Sequence, residues 1–435
     1  MLGSYRDTWR ATGPAGRRFL TGGVLYAVRM MTFTVSYPLF LKSRGFDSGD
    51  IGWLVGGVAL SLFVFGVPVT VLGARGHTRL LLMAGPLLAA LGQLVILAAP
   101  NSQFALTFLG SLLAGMVGTM FWILGDPLLA ATTPAAHRAH VYALKFALFT
   151  GGMSLGGGLG GWVPAGLESF AGFTEERALA STLILVAVLD CTQSFAYGLI
   201  PAGAVPRPVP RIATAVRSSG KRAWSVLLLL LLFAMPEAGM AMGHNSIRPF
   251  LPLFFEERLG LSTGVIGTVM AVLALCGGVG ALFVPAVAGR VGNLRSIGLL
   301  RAFGAGMVAL CFGGVGTALV IAFLLAYYSV ADGTEATFIT ESMERIPVDR
   351  RTAFSGVYAM VWSASSFTAS AASGALQDLP GAGFGAAFGL GIIGYAFSIF
   401  WITVVYPRLP NPVARAPAIG KETETAREEL AVARD

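Results

Sequence analysis

Apolar residues in this chain gather in runs of about twenty, separated by short breaks rich in Gly, Pro and Arg. About 20 residues is the length an α-helix needs to cross the hydrocarbon of a bilayer. Twelve such runs can be read, at approximately 20–41, 49–72, 80–99, 103–131, 140–166, 178–200, 223–255, 262–288, 296–314, 317–345, 351–376 and 383–406. Apolar and polar positions do not alternate with period two, which excludes a membrane β-barrel. The first run is longer than a signal-peptide core and lacks a small-residue cleavage site, so it reads as a retained span. The pattern predicts an all-α polytopic membrane protein with twelve transmembrane helices, numbered here as spans 1 to 12.

Composition agrees. Of 435 residues, 55% are hydrophobic and 12% charged, with mean hydropathy +0.73. Soluble domains carry about 25% charged residues, so a soluble enzyme, a secreted disulfide scaffold and a disordered chain are all excluded. The net charge of +8 does not point to nucleic acid, because the cations sit in short loops between apolar runs. With the N-terminus in the cytoplasm, the cytoplasmic loops and tails collect most of the cations. The outer loops hold only Lys42, Arg44, Arg177 and Arg258. The positive-inside rule then places both termini in the cytoplasm. The excess of Arg over Lys suggests GC-rich coding, hence a prokaryotic plasma (inner) membrane. Cys191, Cys276 and Cys311 lie singly in apolar runs and form no metal-binding pattern. Neither a metal nor a cofactor is expected.

The longest polar break, 201–222, is rich in Pro and Arg and divides the chain into two sets of six spans: 1–200 with a short N-terminal tail, and 223–406. Residues 407–435 form a charged cytoplasmic tail. The halves repeat. Pro38-Leu-Phe-Leu-Lys42, running on to Ile51-Gly52, matches Pro252-Leu-Phe-Phe-Glu256, running on to Ile266-Gly267. Arg75-Gly-His-Thr-Arg79 matches Arg290-Val-Gly-Asn-Leu-Arg295, and Pro134-Ala-Ala-His-Arg138 matches Pro347-Val-Asp-Arg-Arg351. All three matches share an offset of 213 to 215 residues. A repeat of this kind implies two pseudo-symmetric six-helix bundles with a substrate path between them near the midplane.

On these features residues 20–406 resemble the major facilitator superfamily. The basic loop after span 2, Gly73-Ala-Arg75-Gly-His-Thr-Arg79, is similar to that family's loop motif, with Ala74 where an Asp is usual. Span 5 carries Gly152-x-x-x-Gly156-Gly-Gly-Leu-Gly160-Gly161, similar to the family's antiporter motif but with Gly157 in the Pro position. A plainer reading of that run is close helix contact through small residues. The resemblance implies a secondary transporter working by alternating access as a monomer, with span 1 lining the cavity.

Ionisable residues inside a bilayer are costly and mark pairs, cavities or pathways. Arg29 lies mid-span 1, with Ser36 on the same face; it is either paired with a neighbouring acid or aimed at an anionic solute. Glu237, His244 and Arg248 recur at helical spacing along span 7 with Asn245 beside them, on a helix interrupted by Pro236, Gly239, Gly243, Pro249 and Pro252. A broken, polar span in a repeat transporter points to the binding region. The expected substrate contacts are Arg29, Ser36, His244, Asn245, Arg248 and Tyr328. Glu237, Asp332 and Glu335 are the expected proton carriers, because a midplane carboxyl is costly to keep charged; Asp332 and Glu335 share a face and can hold one proton between them. Lys145 and Arg301 read as structural cations near helix ends, whose side chains snorkel, and Asp190 has no assigned role. Asp126 follows Arg75 by 51 residues and Glu341 follows Arg290 by 51, so Arg75, Arg79, Arg290 and Arg295 are expected to latch onto these acids as a cytoplasmic gate.

Without a Walker motif, ATP is not the expected energy source. The expected function is secondary active transport of a small organic solute with H+ as coupling ion, by efflux or antiport of an amphipathic compound. The alternative is uptake of a small organic anion through Arg29, His244 and Arg248. A membrane-embedded enzyme or sensor lacks any nucleophile–base or metal pattern.

Overall fold

The computed structural model describes residues 2–101, 103–201, 221–347 and 350–410. Most of the 201–222 linker and of the 407–435 tail therefore lies outside the described residues. All described regular structure is helical. Eight helical stretches are long and apolar enough to cross a membrane. One of them, Ser48–Ala98, is spans 2 and 3 joined by a turn at Gly73–His77, where Gly76 takes φ +92°. Arg138–Ala171, Asn293–Leu310 and Arg351–Gln377 supply spans 5, 9 and 11. Span 4 is broken at Gly115. Span 7 passes from Lys221–Ile247 through a tighter turn at Arg248–Phe250 into Leu251–Glu257, where Pro249 and Pro252 remove the N–H groups an α-helix would use. The N-terminal tail contains a helix, Leu2–Ala11, whose Thr8 Oγ1 meets His137 Nδ1 at 3.2 Å.

Spans 1–6 pack among themselves, as do spans 7–12. The bundles touch along two seams, span 2 with span 11 and span 5 with span 8. A pseudo-twofold relates these seams residue by residue. A Cβ on Gly52 would meet the Gly374 Cα at 3.1 Å and also strike the Ser370 carbonyl; a Cβ on Gly267 would meet the Gly161 Cα at 2.5 Å and the Gly157 carbonyl at 2.7 Å. Gly52 and Gly267 are repeat equivalents, and Gly161 and Gly157 match Gly374 and Ser370. The glycine run of span 5 therefore serves two partners. Gly152, Gly156 and Gly160 face span 1, while Gly157 and Gly161 face span 8. Small residues let these backbones approach, the source of helix association where lipid offers no hydrophobic drive.

The seams belong to the end of the molecule opposite the N-terminus, called distal here. At that end Asp378 accepts from the Ser48 and Gly49 N–H groups at 3.2 and 2.6 Å, capping span 2 from the other bundle. Trp162 Nε1 donates to Thr268 across the second seam at 2.9 Å. Lys42 pairs with Glu256 and Glu257 at 2.8 and 2.9 Å. These contacts between the bundles lie at or distal to Phe63–Ser363, where the Phe63 N–H donates to Ser363 Oγ at 3.0 Å. The distal end is closed by these contacts. The Lys42 pairs are more than a quarter exposed, so Lys42→Ala should cost less than about 1 kcal/mol. Thermal unfolding in detergent checks this, and a larger loss would mean that the charges bear more of the closure than the glycines.

Candidate functional site

Two buried ion pairs hold the bundles internally. In the first bundle, Arg29 of span 1 is 2% exposed, and its Nε lies 3.2 Å from Asp190 Oδ2 of span 6. Gln93 of span 3 donates to the same oxygen at 2.9 Å, and Arg29 also reaches the Ala114 carbonyl at 3.1 Å. In the second bundle, Arg301 of span 9 and Glu237 of span 7 are both fully buried and 2.6 Å apart. Arg301 also donates to Ser398 of span 12, to Thr334 Oγ1 at 3.4 Å and to the Pro236 carbonyl at 3.5 Å. Both knots join repeat-equivalent helices: spans 1, 3 and 6, and spans 7, 9 and 12. By the offset of 214 residues Glu237 matches Gly23, six residues before Arg29. The second knot thus sits ~9 Å nearer the proximal end.

Of the two readings held open for Arg29, the structure places it in a pair with a neighbouring acid, and Asp190 is that acid. Ser36 Oγ donates to the Gly160 carbonyl at 3.1 Å, a contact between spans 1 and 5. Arg301 does not snorkel. Its helix starts at Asn293 and ends at Leu310, which puts the residue mid-helix. Lys145 pairs with Asp126 and lies 5.3 and 5.1 Å from the ring centroids of Phe121 and Trp122. Glu341 is taken by Arg345, one turn on, at 2.8 Å and by Asn293 at 2.9 Å. Arg79 donates to the Gly198 carbonyl at 2.6 Å. Among the described residues, none of Arg75, Arg79, Arg290 and Arg295 forms an ion pair.

The remaining candidates converge on the second bundle. Arg248 Nη2 lies 2.6 Å from Asp332 Oδ1 of span 10, with side chains 23% and 26% exposed, so this pair lines an accessible crevice. The Arg248 guanidinium lies 4.4 Å from the centroid of the Tyr328 ring, a cation–π contact. One turn before Arg248, His244 is 3% exposed, edge-on to Tyr327, Trp362 and Tyr395. Its Nε2 and the Arg248 Nε are buried without a hydrogen-bond partner. Asn245 ties span 7 to span 11 through Ser366 Oγ at 2.9 Å.

Asp332 is paired with Arg248 of span 7 rather than with Glu335 of its own helix. Glu335 instead accepts from the Tyr358 hydroxyl of span 11 at 2.9 Å, and the same hydroxyl lies 3.3 Å from Glu237 Oε2. Asp126, Asp190, Glu237, Asp332 and Glu341 each have a cation. Among the described residues Glu335 has none. The cluster Glu237, Arg301, Arg248, Asp332 and Glu335 holds three carboxyls against two guanidiniums and is short of one positive charge. Tyr358 was missed in the sequence; its only signal is the stripe Tyr358, Trp362, Ser366, Ser370 at four-residue spacing.

The sequence matches the family model of the Major Facilitator Superfamily over residues 19–370. A search of curated proteins returns no match. Among solved structures, a bacterial homologue of the iron transporter ferroportin in an inward-facing state covers 89% of this chain and 98% of its own, with 15% identity and TM-score 0.65. The nucleoside transporter NupG covers 91% and 100%, with 13% identity and TM-score 0.68. A bacterial homologue of the human lysosomal transporter Spinster, inward-facing and unoccupied, covers 91% and 95%, with 14% identity and TM-score 0.60. At these identities the likeness is one of fold, and it extends over nearly the whole chain. With two six-helix bundles related by a pseudo-twofold and the family model spanning most of its length, the chain belongs to the Major Facilitator Superfamily of membrane transporters.

Proposed function

We propose that the protein is a proton-coupled antiporter that exports an amphipathic, positively charged organic compound, with Glu335 as the site that proton and solute occupy in turn. The observation that carries this reading is the charge count of the crevice, in which Glu335 is the acid without a cation. In a low-dielectric interior an unpaired charge is costly, so the site favours one added positive charge, supplied by H+ or by the solute. Trp362, part-exposed on span 11, offers an aromatic face that suits an apolar cation. Placing the termini and the four proximal arginines in the cytoplasm of a prokaryotic inner membrane makes the closed distal end the outer one. The protein is then inward-facing. Arg75, Arg79, Arg290 and Arg295 with Asp126 and Glu341 are left to latch the opposite state.

The second reading, uptake of an organic anion with a proton, is favoured by the unpartnered Nε atoms of His244 and Arg248. Proteoliposomes with an acidic interior separate the two. The wild type should accumulate ethidium, an aromatic cation, and Glu335→Gln should fall to the level of protein-free vesicles while keeping its unfolding midpoint. Gradient-driven ethidium accumulation by Glu335→Gln would defeat the proposal. Benzoate accumulation driven by an inward proton gradient beyond that of protein-free vesicles, without ethidium transport, would favour the anion reading.

A further inference from the structure

We propose that Tyr358 is a positioning residue that carries the protonation state of Glu335 to the seam between the bundles. The inference rests on Glu335 being the proton site.

The hydroxyl of Tyr358 has one proton to donate and two carboxylates within reach, Glu335 Oε1 at 2.9 Å and Glu237 Oε2 at 3.3 Å. A charged acceptor binds a donor more strongly than a neutral one. Glu237 is already neutralised by Arg301, so a charged Glu335 holds the hydroxyl. Once Glu335 takes a proton it is a weaker acceptor, and the hydroxyl turns to Glu237. Protonation thus moves the tie of span 11 from span 10 to span 7.

Span 11 is also the helix that closes one seam. Five residues after Tyr358, Ser363 donates to the Ala59 carbonyl of span 2 and accepts from the Phe63 N–H. Further along, Gly374 lies against Gly52, and Asp378 caps span 2. The Tyr358 ring stacks on Trp362, centroids 6.5 Å apart and planes 16° from parallel, and Trp362 stands edge-on to His244 at 5.8 Å. The hydroxyl therefore cannot change partner without shifting a packed aromatic pair on the helix that forms the seam. A proton biases the two arrangements because they interact with it differently, which is the condition for coupling.

The charged and titratable groups around Glu335 are Glu237, His244 and Arg248 from span 7, Arg301 from span 9, Tyr358 from span 11, and Asp332 and Tyr328 from its own helix. Span 8 meets that helix through Gly277, Gly280, Ala281 and Val284 and brings no charge to this contact.

The test reads the distance across the distal face in the full-length protein in lipid, with spin labels at the exposed positions Phe173 and Leu379. In the wild type the distance distribution should shift between alkaline and acid buffer. Glu335→Gln should show the acid distribution in both. Tyr358→Phe should lose the shift while still exchanging ethidium down its own gradient, with protons moved per ethidium falling to background. 3-Fluorotyrosine at position 358 keeps the ring shape and strengthens the donor. It favours the charged form of Glu335, and the midpoint of the shift should move to lower pH. A full shift in Tyr358→Phe, or an unmoved midpoint with fluorotyrosine, overturns the role of Tyr358 and leaves Glu335 standing. A shift persisting in Glu335→Gln overturns the proton site and the inference together.

Discussion

Replacing Arg301 by Met is expected to destabilise the protein by about 3–5 kcal/mol, the cost of removing one partner of a buried ion pair. Glu237 would be left fully buried without its cation, keeping the Tyr358 hydroxyl at 3.3 Å. Ser398, Thr334 and the Pro236 carbonyl would lose their donor as well. Much of the loss comes from the stranded acid, so adding Glu237→Gln to Arg301→Met should restore a large part of it. Unfolding in detergent of the wild type, both single variants and the double variant measures the coupling directly. If the double variant were as unstable as the sum of the singles, the knot would not be an interacting pair. The Arg29–Asp190 knot should respond in the same way to Arg29→Met and Asp190→Asn.

A second large effect is expected at the glycine crossings. A methyl at position 267 would lie 2.5 Å from the Gly161 Cα and 2.7 Å from the Gly157 carbonyl. Both obstacles are backbone, so neither can rotate away, and overpacking of this kind costs about 1–3 kcal/mol. The strain exists only while spans 5 and 8 touch, and it therefore acts on the balance of states more than on folding. Gly267→Ala should widen the distal spacing measured between labels on the two bundles and leave the unfolding midpoint of each bundle nearly unchanged. Adding an alanine at Gly52, on the other seam, should open the distal end further. An unaltered distance in the double variant would mean that closure does not depend on these backbone contacts.

The fold was largely legible because hydrocarbon imposes a length and a polarity on each span that short loops cannot hide. The repeat was legible because loop residues such as Lys42 and Arg75 recur at one offset. The charges were harder to place. Their partners lie on other helices, and the distance from Arg29 to Asp190 or from Glu237 to Arg301 along the chain carries no signal. Arg301 was misplaced because its helix begins three residues before the expected boundary, and that small error turned a central residue into a peripheral one. Glu335 was in view among three acids. What singled it out was which acids the arginines had already taken, a fact of packing. Tyr358 had no charge to draw notice and gains its meaning only from the two carboxylates that flank it.

The Lys42–Glu256 contact joins two positions that the repeat makes equivalent. Two copies of the first half, assembled about the same axis, would bring lysine against lysine; two copies of the second would set Glu256 and Glu257 against themselves. At this position each half carries a charge that suits the other half better than a copy of itself, a bias worth less than about 1 kcal/mol.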